Sequence, residues 1–339
     1  MKKSKIFLFI ILLAALIFPL FVTNSYIISI LCITLIYALS ASGWNIISGI
    51  CGQVGFGNSL FFALGAYVTA ALFVFYGLNP WLAMLVGAVI VATISVLLGF
   101  VTFPLSGVYY SLATVALLEI LRLLFYDQDR IFGIKFGGGA GIIIPWKGGG
   151  FLTLEFVDKR MYYYLLLILL VLVLIFTSRL VKRKTGFYYR AISTNETAAS
   201  TMGINVLEYK CLAQFTSAFI MSCCGSIYVM YTMFIEPNSI FSFDMALYML
   251  LMAVIGGLGT VYGPTLGAVL LMPLSEILRS RFGTMLPGIS AVTFGVILIL
   301  CMQFFPEGII PMTQHLISNK RNNNNDRSAN VLTKGEIKQ

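Results

Sequence analysis

The sequence predicts an all-α, polytopic membrane protein with roughly eight to ten transmembrane helices, in which glycine-rich segments are broken or re-entrant. Composition is the first reason: 59% of the 339 residues are hydrophobic and only 10% are charged, against about 25% charged in a soluble domain. A soluble fold of this length could not enclose so much apolar surface. The second reason is that apolar runs of about 20 residues, the length that crosses a bilayer, recur along the chain.

These runs define roughly ten candidate spans. The candidate spans are 6–23, 26–48, 60–77, 81–103, 107–126, 161–180, 207–234, 243–257, 264–280 and 287–305. The first run could be a signal peptide, but no cleavage site of small residues follows it, so we interpret it as an uncleaved span.

Basic clusters indicate the orientation, because Lys and Arg concentrate in cytoplasmic loops. They cluster at the N-terminus (MKKSK), at Lys182-Arg183-Lys184 and at Lys320-Arg321. The number of spans between the clusters is even in both cases, so all three lie on one side. We expect a transmembrane domain over 1–318, a polar, disordered cytoplasmic tail over 319–339, and both termini in the cytoplasm.

The residue types in the spans exclude several functions. The only histidine, His315, follows the last predicted span, and no span holds a series of acidic residues, which argues against a proton-coupled pump and a membrane-embedded enzyme. The six cysteines have no metal-ligand spacing. No GxxxxGK(S/T) phosphate loop occurs, so ATP-derived energy must come from a partner. We expect no enzyme activity, metal or cofactor in this chain, with a self-sufficient secondary transporter or channel as the main alternative.

Two glycine-rich segments, the first over 52–72 and the second over 256–270, interrupt the apolar runs. Glycine allows helices to approach closely and tolerates a broken backbone, and a break at membrane depth survives only inside protein or beside a wet cavity. Two polar residues of the first segment, Gln53 and Asn58, are expected to serve freed backbone groups. Tight packing without a path is the alternative interpretation. The candidate path or helix-break residues are Gly52, Gln53, Gly55, Gly57, Asn58, Gly65, Gly256, Gly257 and Gly259.

One charged pair lies inside a predicted span. Glu119 and Arg122 are three residues apart, on one helix face, and can neutralise each other. Charges within a membrane are candidates for function, but this pair is expected near the outer end of its span, where long side chains reach water. We interpret it as a structural pair.

The basic cytoplasmic loop predicts a short helix. Either Thr194 or Asn195 is a candidate cap, Glu196 would lie in the first turn, where an acid suits the helix dipole, and Gly203 would end the helix. Ala198 and Ala199 would then form a small-residue face that suits docking into a cleft of a soluble partner. A helix lying on the membrane surface is the alternative.

Four sequence blocks resemble one known family. The blocks are ALSASGWNIISGICGQVGFGNSLFFALGAY, FPLSGVYYSLATVALLEI, RAISTNETAASTMGINVLEYKCLAQFTSAF and FSFDMALYMLLMAVIGGLGTVYGPTLGAVLL. In order and spacing they are similar to the permease subunit of branched-chain amino acid ABC transporters, the LivM type, over nearly the whole chain up to about residue 310.

The resemblance implies an importer subunit of the bacterial inner membrane that moves leucine, isoleucine and valine to the cytoplasm. It implies three kinds of partner: a homologous second permease, two cytoplasmic ABC ATPases that bind ATP and Mg, and an extracytoplasmic solute-binding protein. The cytoplasmic loop resembles the Glu-Ala-Ala…Gly coupling loop of ABC importers. The residues implied to couple to the ATPase are Arg190, Glu196, Ala198, Ala199 and Gly203.

Three positions depart from the pattern of this family. Gly55 stands where Ser is usual, Asn58 where His is usual, and Phe136 where Thr usually precedes two glycines. If these positions touch the solute, the specificity differs. A permease for urea, short amides or another small solute is therefore the alternative within the class.

Overall fold

The computed structural model describes residues 15–22, 24–131, 134–146, 148, 150–282 and 308–312, together with Val292, Gly295, Val296, Ile299 and Gln303. Residues 6–14 of the predicted first span, most of the predicted span 287–305 and the predicted tail 319–339 lie outside this part of the chain.

Helices dominate the described chain. They are α1 (Ser25–Asn45), α2 (Leu60–Tyr76), α3 (Pro80–Thr102), α4 (Val108–Asp127), α5 (Lys159–Lys182), α6 (Lys184–Thr194), α7 (Glu196–Thr201), α8 (Val206–Thr232), α9 (Pro237–Ile240), α10 (Phe243–Gly256) and α11 (Gly263–Phe282). A π-helix, Ile46–Ile50, extends α1. Among the described residues, six helical segments are long and apolar enough to cross a membrane, and α2 is a shorter apolar helix. The predicted all-α, polytopic class is confirmed.

The two ends of the bundle differ in their connections. At one end, β1 (Arg130–Ile131) pairs antiparallel with β2 (Ile134–Lys135), and β3 (Ile142–Ile143) pairs antiparallel with β4 (Phe234–Ile235). We call this the sheet end. The short helices α6 and α7 lie at the opposite end, which we call the α7 end. The pairing of β3 with β4 ties the long α4–α5 connection to the exit of α8.

Small residues let α8 run through the centre of the bundle. Against α2, the hydroxyls of Thr69 and Ser226 are 2.7 Å apart, and a side chain at Gly65 would overlap Ser222. Against α1, Ser217 donates to the carbonyl of Gly43 at 2.8 Å. Close backbone approach at small residues is the usual means of helix association in membranes, where burial of apolar surface provides little driving force. Gly65, a candidate path or helix-break residue, thus lies inside the regular helix α2 at its contact with α8.

The outward faces of α3 and α5 are apolar. Both helices leave large aliphatic side chains exposed along their length, which suits contact with lipid. The exposed residues of these faces include Leu82, Leu85, Val89, Leu97, Ile168, Leu172, Ile175 and Phe176.

Candidate functional site

The chain between α1 and α2 is broken and buried. Residues 51–59 form no regular helix. Side chains of α4 and α1 donate hydrogen bonds to the backbone carbonyls of this segment. Ser111 of α4 donates to the carbonyl of Val54 at 2.5 Å, and Nε1 of Trp44 in α1 donates to the carbonyl of Gly55 at 2.9 Å. The N–H of Gly57 donates to Thr114 Oγ1 at 3.2 Å. Because Thr114 lies in the second turn of α4, the break reaches membrane depth, surrounded by protein as such a break must be.

Two positions of this segment require glycine. Gly52 has a φ of +83°, which favours glycine, and faces Ser193 at the end of α6. A Cβ at Gly57 would overlap the carbonyl of Thr114. Glycine therefore allows the chain to turn at position 52 and allows close approach to α4 at position 57.

The polar side chains of the segment do not have the expected role. The side-chain bonds to the broken backbone come from Trp44, Ser111 and Thr114 rather than from Gln53 or Asn58. Instead, Asn58 is 1% exposed, and its side chain faces the buried hydroxyl of Tyr110 on α4.

Two departures from the family pattern are in contact with each other. A Cβ at Gly55 would lie 2.9 Å from Nδ2 of Asn58, which is closer than real Cβ contacts. A larger residue at position 55 would therefore require a different side chain, or a different side-chain position, at residue 58. The third departure, Phe136, is 7% exposed and packs at the sheet end against Phe125 and Tyr67, at ring-centroid distances of 4.9 and 6.3 Å.

The second glycine segment is bonded to the end of α1 through Asn45. Its Oδ1 accepts from the N–H of Gly259 at 2.9 Å, and its Nδ2 donates to the carbonyl of Thr260 at 2.8 Å. Gly259 has a φ of +73°, and a side chain at Gly49 would press on its backbone. The structure thus places the second glycine segment against the end of α1 and the π-helix that precedes the first segment.

Backbone conformation and packing explain the other two candidate glycines of the second segment, Gly257 and Gly256. Gly257 has a φ of +121°. A Cβ at Gly256 would overlap the carbonyl of Gly263 at the start of α11. Sequence analysis missed Asn45, although a buried amide within an apolar span is a signal that it has a specific partner.

The predicted short helix is confirmed at the α7 end. Asn195 caps α7, with its Oδ1 accepting from the N–H of Ala198 at 3.0 Å, and Glu196 lies in the first turn. Gly203 follows the helix with a left-handed φ of +85°. Arg190, Ala198 and Gly203 are exposed.

One member of the predicted docking face points inward. Ala199 is 1% exposed, so this side chain packs against its own chain. The outer edge of α7 is formed by Thr197, Ala198 and Ser200.

A buried lysine holds α7 against the bundle. Nζ of Lys210, in the first turns of α8, lies 2.6 Å from Oε1 of Glu196. Lys210 is 1% exposed, and its ammonium group lies 5.9 Å from the ring centroid of Phe103 at the end of α3. Sequence analysis missed Lys210. Its signal was a lone cation inside the apolar start of a span, since such a charge needs a partner.

The helix before α7 connects this end to the broken segment. Tyr189 of α6 is fully buried, and burial raises the pKa of its hydroxyl, which therefore stays neutral. Gly186 packs against the backbone of Val181, and Ser193 faces Gly52. Continuous contacts therefore run from α7 through α6 to the first glycine segment, and through Asn45 to the second.

These features define a class of protein. A multi-pass helical bundle, broken at membrane depth and carrying a short exposed helix at one end, is the architecture of a membrane permease. Within the described residues, no group of His, Cys, Asp and Glu could hold a metal ion.

The comparisons identify the family. The family model described as the permease component of the branched-chain amino acid transport system matches residues 26–302, and the chain belongs to this family.

Curated relatives agree with this assignment. The chain is 28% identical to the high-affinity branched-chain amino acid transport system permease protein LivM of Escherichia coli, over 92% of this chain and 76% of the relative. The LivM protein of Salmonella typhimurium matches to the same extent. A probable LivM of Methanocaldococcus jannaschii is 24% identical over 74% of this chain and 78% of its own length. No solved structure matches.

Proposed function

We propose that the chain is the transmembrane subunit of an ATP-driven importer that moves leucine, isoleucine and valine from a solute-binding protein into the cytoplasm. Its partners are a homologous second permease, two cytoplasmic ATPases and the extracytoplasmic binding protein. It lies in the bacterial inner membrane with both termini and the α7 end in the cytoplasm. It catalyses no reaction and holds no cofactor, since ATP and Mg bind to the partner ATPases.

One observation carries this proposal: the series of contacts between α7 and the glycine segments. A subunit that takes its energy from a partner needs a surface for that partner and a rigid connection to the path. The edge of α7 provides the surface. The Lys210–Glu196 ion pair and the Ser193–Gly52 contact provide the connection.

The mechanism follows from these contacts. Closure of the ATPases on nucleotide displaces α7, and α6 and α8 move with it because both are packed to it. The motion reaches the broken segment at Gly52 and the junction at Asn45, where glycine allows the backbone to change direction. The bundle then alternates its opening by rigid-body rotation, a motion typical of packed helices.

Reconstituted uptake tests the proposal. The chain is co-expressed with the second permease and the ATPases of its own transport system, and placed in liposomes that contain ATP. Radiolabelled leucine, isoleucine, valine and urea are offered with the binding protein. We expect uptake of the three branched-chain amino acids that requires ATP, the binding protein and both permeases.

Two outcomes would change the proposal. Uptake of urea alone would keep the importer and change the solute, and would direct attention to Gly55 and Asn58. Uptake by this chain alone and without ATP would overturn the ABC importer and favour a secondary transporter.

A further inference from the structure

α4 carries a charged pair that the coupling contacts do not use. Arg122 donates to Glu119 through Nε at 2.9 Å and through Nη2 at 2.5 Å, and through Nη1 to Oδ1 of Asn238 at 2.5 Å. The sequence interpretation placed this pair near the outer end of its span. The observed bounds of α4 match the predicted span to within one residue, and Glu119 and Arg122 are the twelfth and fifteenth of its 20 residues. The pair therefore lies within the span, in the half nearer the sheet end.

The pair belongs to a face of α4 that the described chain leaves uncovered. The side chain of Glu119 is 53% exposed and that of Arg122 is 27% exposed. We call this the open face of α4. Its other members are apolar, and include Leu112, Ile120 and Leu123.

Lipid does not suit this face. The described chain buries α5 to the same extent as α4, but the exposed charged residues of α5 lie near its ends, and its exposed residues between 161 and 178 are all apolar. Charged groups at membrane depth face the bundle interior or a water-filled cavity rather than hydrocarbon. The open face of α4 therefore faces water or another subunit, while α5 faces lipid.

Both members of the pair retain hydrogen-bonding capacity on the open side. A guanidinium has five N–H donors, and the bonds of Arg122 to described residues use three of them. Each carboxylate oxygen of Glu119 accepts one of those bonds and can accept another. An anion next to Arg122 and a cation next to Glu119 would complete the site.

We propose that the open face of α4 lines the solute path, and that Glu119 binds the ammonium group and Arg122 the carboxylate group of a zwitterionic amino acid. Ile120 and Leu123, one turn or less away, provide apolar contact for an aliphatic side chain. This inference rests on the proposed importer function and adds a binding site to it. A tight contact with the second permease and a purely structural ion pair are the competing explanations.

Cysteine accessibility in the assembled transporter tests the path. Leu112→Cys, Ile120→Cys and Leu123→Cys leave the ion pair intact, and the unmodified chain gives the background from its own cysteines. We expect the three variants to react with a membrane-impermeant, charged thiol reagent in at least one nucleotide state, and leucine-loaded binding protein to slow the reaction at position 120. The matched variants Ile168→Cys and Leu172→Cys on α5 should stay unreactive. If none of the three α4 cysteines reacts with the reagent in any nucleotide state, the proposal is overturned in favour of a buried subunit contact.

Charge variants test recognition. We expect Glu119→Gln and Arg122→Gln each to lower ATP-dependent leucine uptake at least tenfold, because each removes a charge-assisted hydrogen bond to the solute. Stimulation of the ATPase by loaded binding protein should persist. Glu276→Gln is the matched control, since Glu276 pairs with Arg279 at the same spacing on α11, at 3.3 Å, and should retain uptake.

The exchanged pair Glu119→Arg/Arg122→Glu separates structure from recognition. It keeps an ion pair at the same depth but reverses the order of the charges, so we expect uptake to stay low. Full recovery of uptake would show a structural pair only. If the unmodified transporter shows no ATP-dependent leucine uptake, the importer function fails. If it transports leucine while the α4 variants behave like the α5 controls, only this site fails.

Discussion

Asn45 is the residue that joins the second glycine segment to the end of α1. Its side-chain amide accepts a hydrogen bond from the N–H of Gly259 and donates one to the carbonyl of Thr260. These two backbone groups lie between helices and have no partner within a helix. A single side chain thus holds together two segments that are more than 200 positions apart.

Removal of this amide should loosen the junction. Asn45→Ala leaves two backbone groups without partners, at about 1–3 kcal/mol each where they are buried, so we expect the free energy of unfolding to fall by about 2 kcal/mol or more. Thermal unfolding of the purified permease pair measures the change. Asn79→Ser is the control, because it keeps a capping oxygen at the exposed start of α3 and should cost less than about 0.5 kcal/mol. An equal effect of both variants would contradict this role of Asn45.

Single residues show what the sequence alone can and cannot predict. Asn195 and Gly203 were predictable, because a helix cap and a left-handed helix end depend on local backbone. Asn45 and Lys210 were not, because their roles depend on partners that only the packed chain brings near. Gln53 and Asn58 were assigned to the right segment, but neighbouring helices supply the backbone bonds that these amides were expected to supply.

α7 is a short helix held by a partly buried ion pair. Six residues cannot form a stable helix alone, so its position depends on Asn195, on the burial of Ala199 and on the bond from Lys210. This dependence makes α7 follow the start of α8 as one body.

A double-mutant cycle measures this connection. Glu196→Gln leaves the ammonium of Lys210 buried without its counter-charge, whereas Lys210→Met removes the buried charge and keeps the length of the side chain. We expect the first change to destabilise more than the second, and a coupling energy of about 1–3 kcal/mol between them. The pair Arg279–Glu276, in which the Arg279 side chain is 66% exposed, should give less than about 1 kcal/mol. Additive effects of Glu196→Gln and Lys210→Met would contradict a direct connection.

Adjacent alanines of α7 should respond differently to the same substitution. Ala198 is exposed and Ala199 is 1% exposed. We expect Ala198→Trp to leave the permease folded while it prevents ATPase binding by steric overlap, and Ala199→Trp to destabilise α7 by overpacking at a cost of about 1–3 kcal/mol or more. Co-purification of the ATPases and thermal unfolding separate the two effects. Normal ATPase binding to the Ala198→Trp variant would exclude this edge as the docking surface.

Elements were predicted unequally well. Long apolar runs gave helices close to their expected bounds: 81–103 became Pro80–Thr102 and 107–126 became Val108–Asp127. α6 was not predicted, because its sequence is polar and its stability comes from the burial of Tyr189 and Ile192. The strands at the sheet end have two residues each, too short for any periodic pattern.

The whole molecule presents two chemically different ends, and labelling can determine which side each one faces. On our proposal, Val157, 88% exposed at the sheet end, faces outward, and Met202, 71% exposed next to α7, faces the cytoplasm. In sealed cells, we expect an impermeant thiol reagent to label Val157→Cys at once and Met202→Cys only after permeabilisation. The unmodified chain again gives the background. The reverse pattern would invert the orientation.

The π-helix at the end of α1 has a consequence for how this chain and its relatives vary in length. Its wide turn, closed by the bond from the Cys51 N–H to the Ile46 carbonyl at 3.2 Å, holds one residue more than an α-helical turn. Loss of one residue between positions 46 and 50 would restore an ordinary turn and leave the flanking segments in place, whereas a deletion elsewhere in α1 would rotate everything beyond it by about 100°. Within this helix, single-residue insertions and deletions over evolutionary time should therefore collect at this one turn.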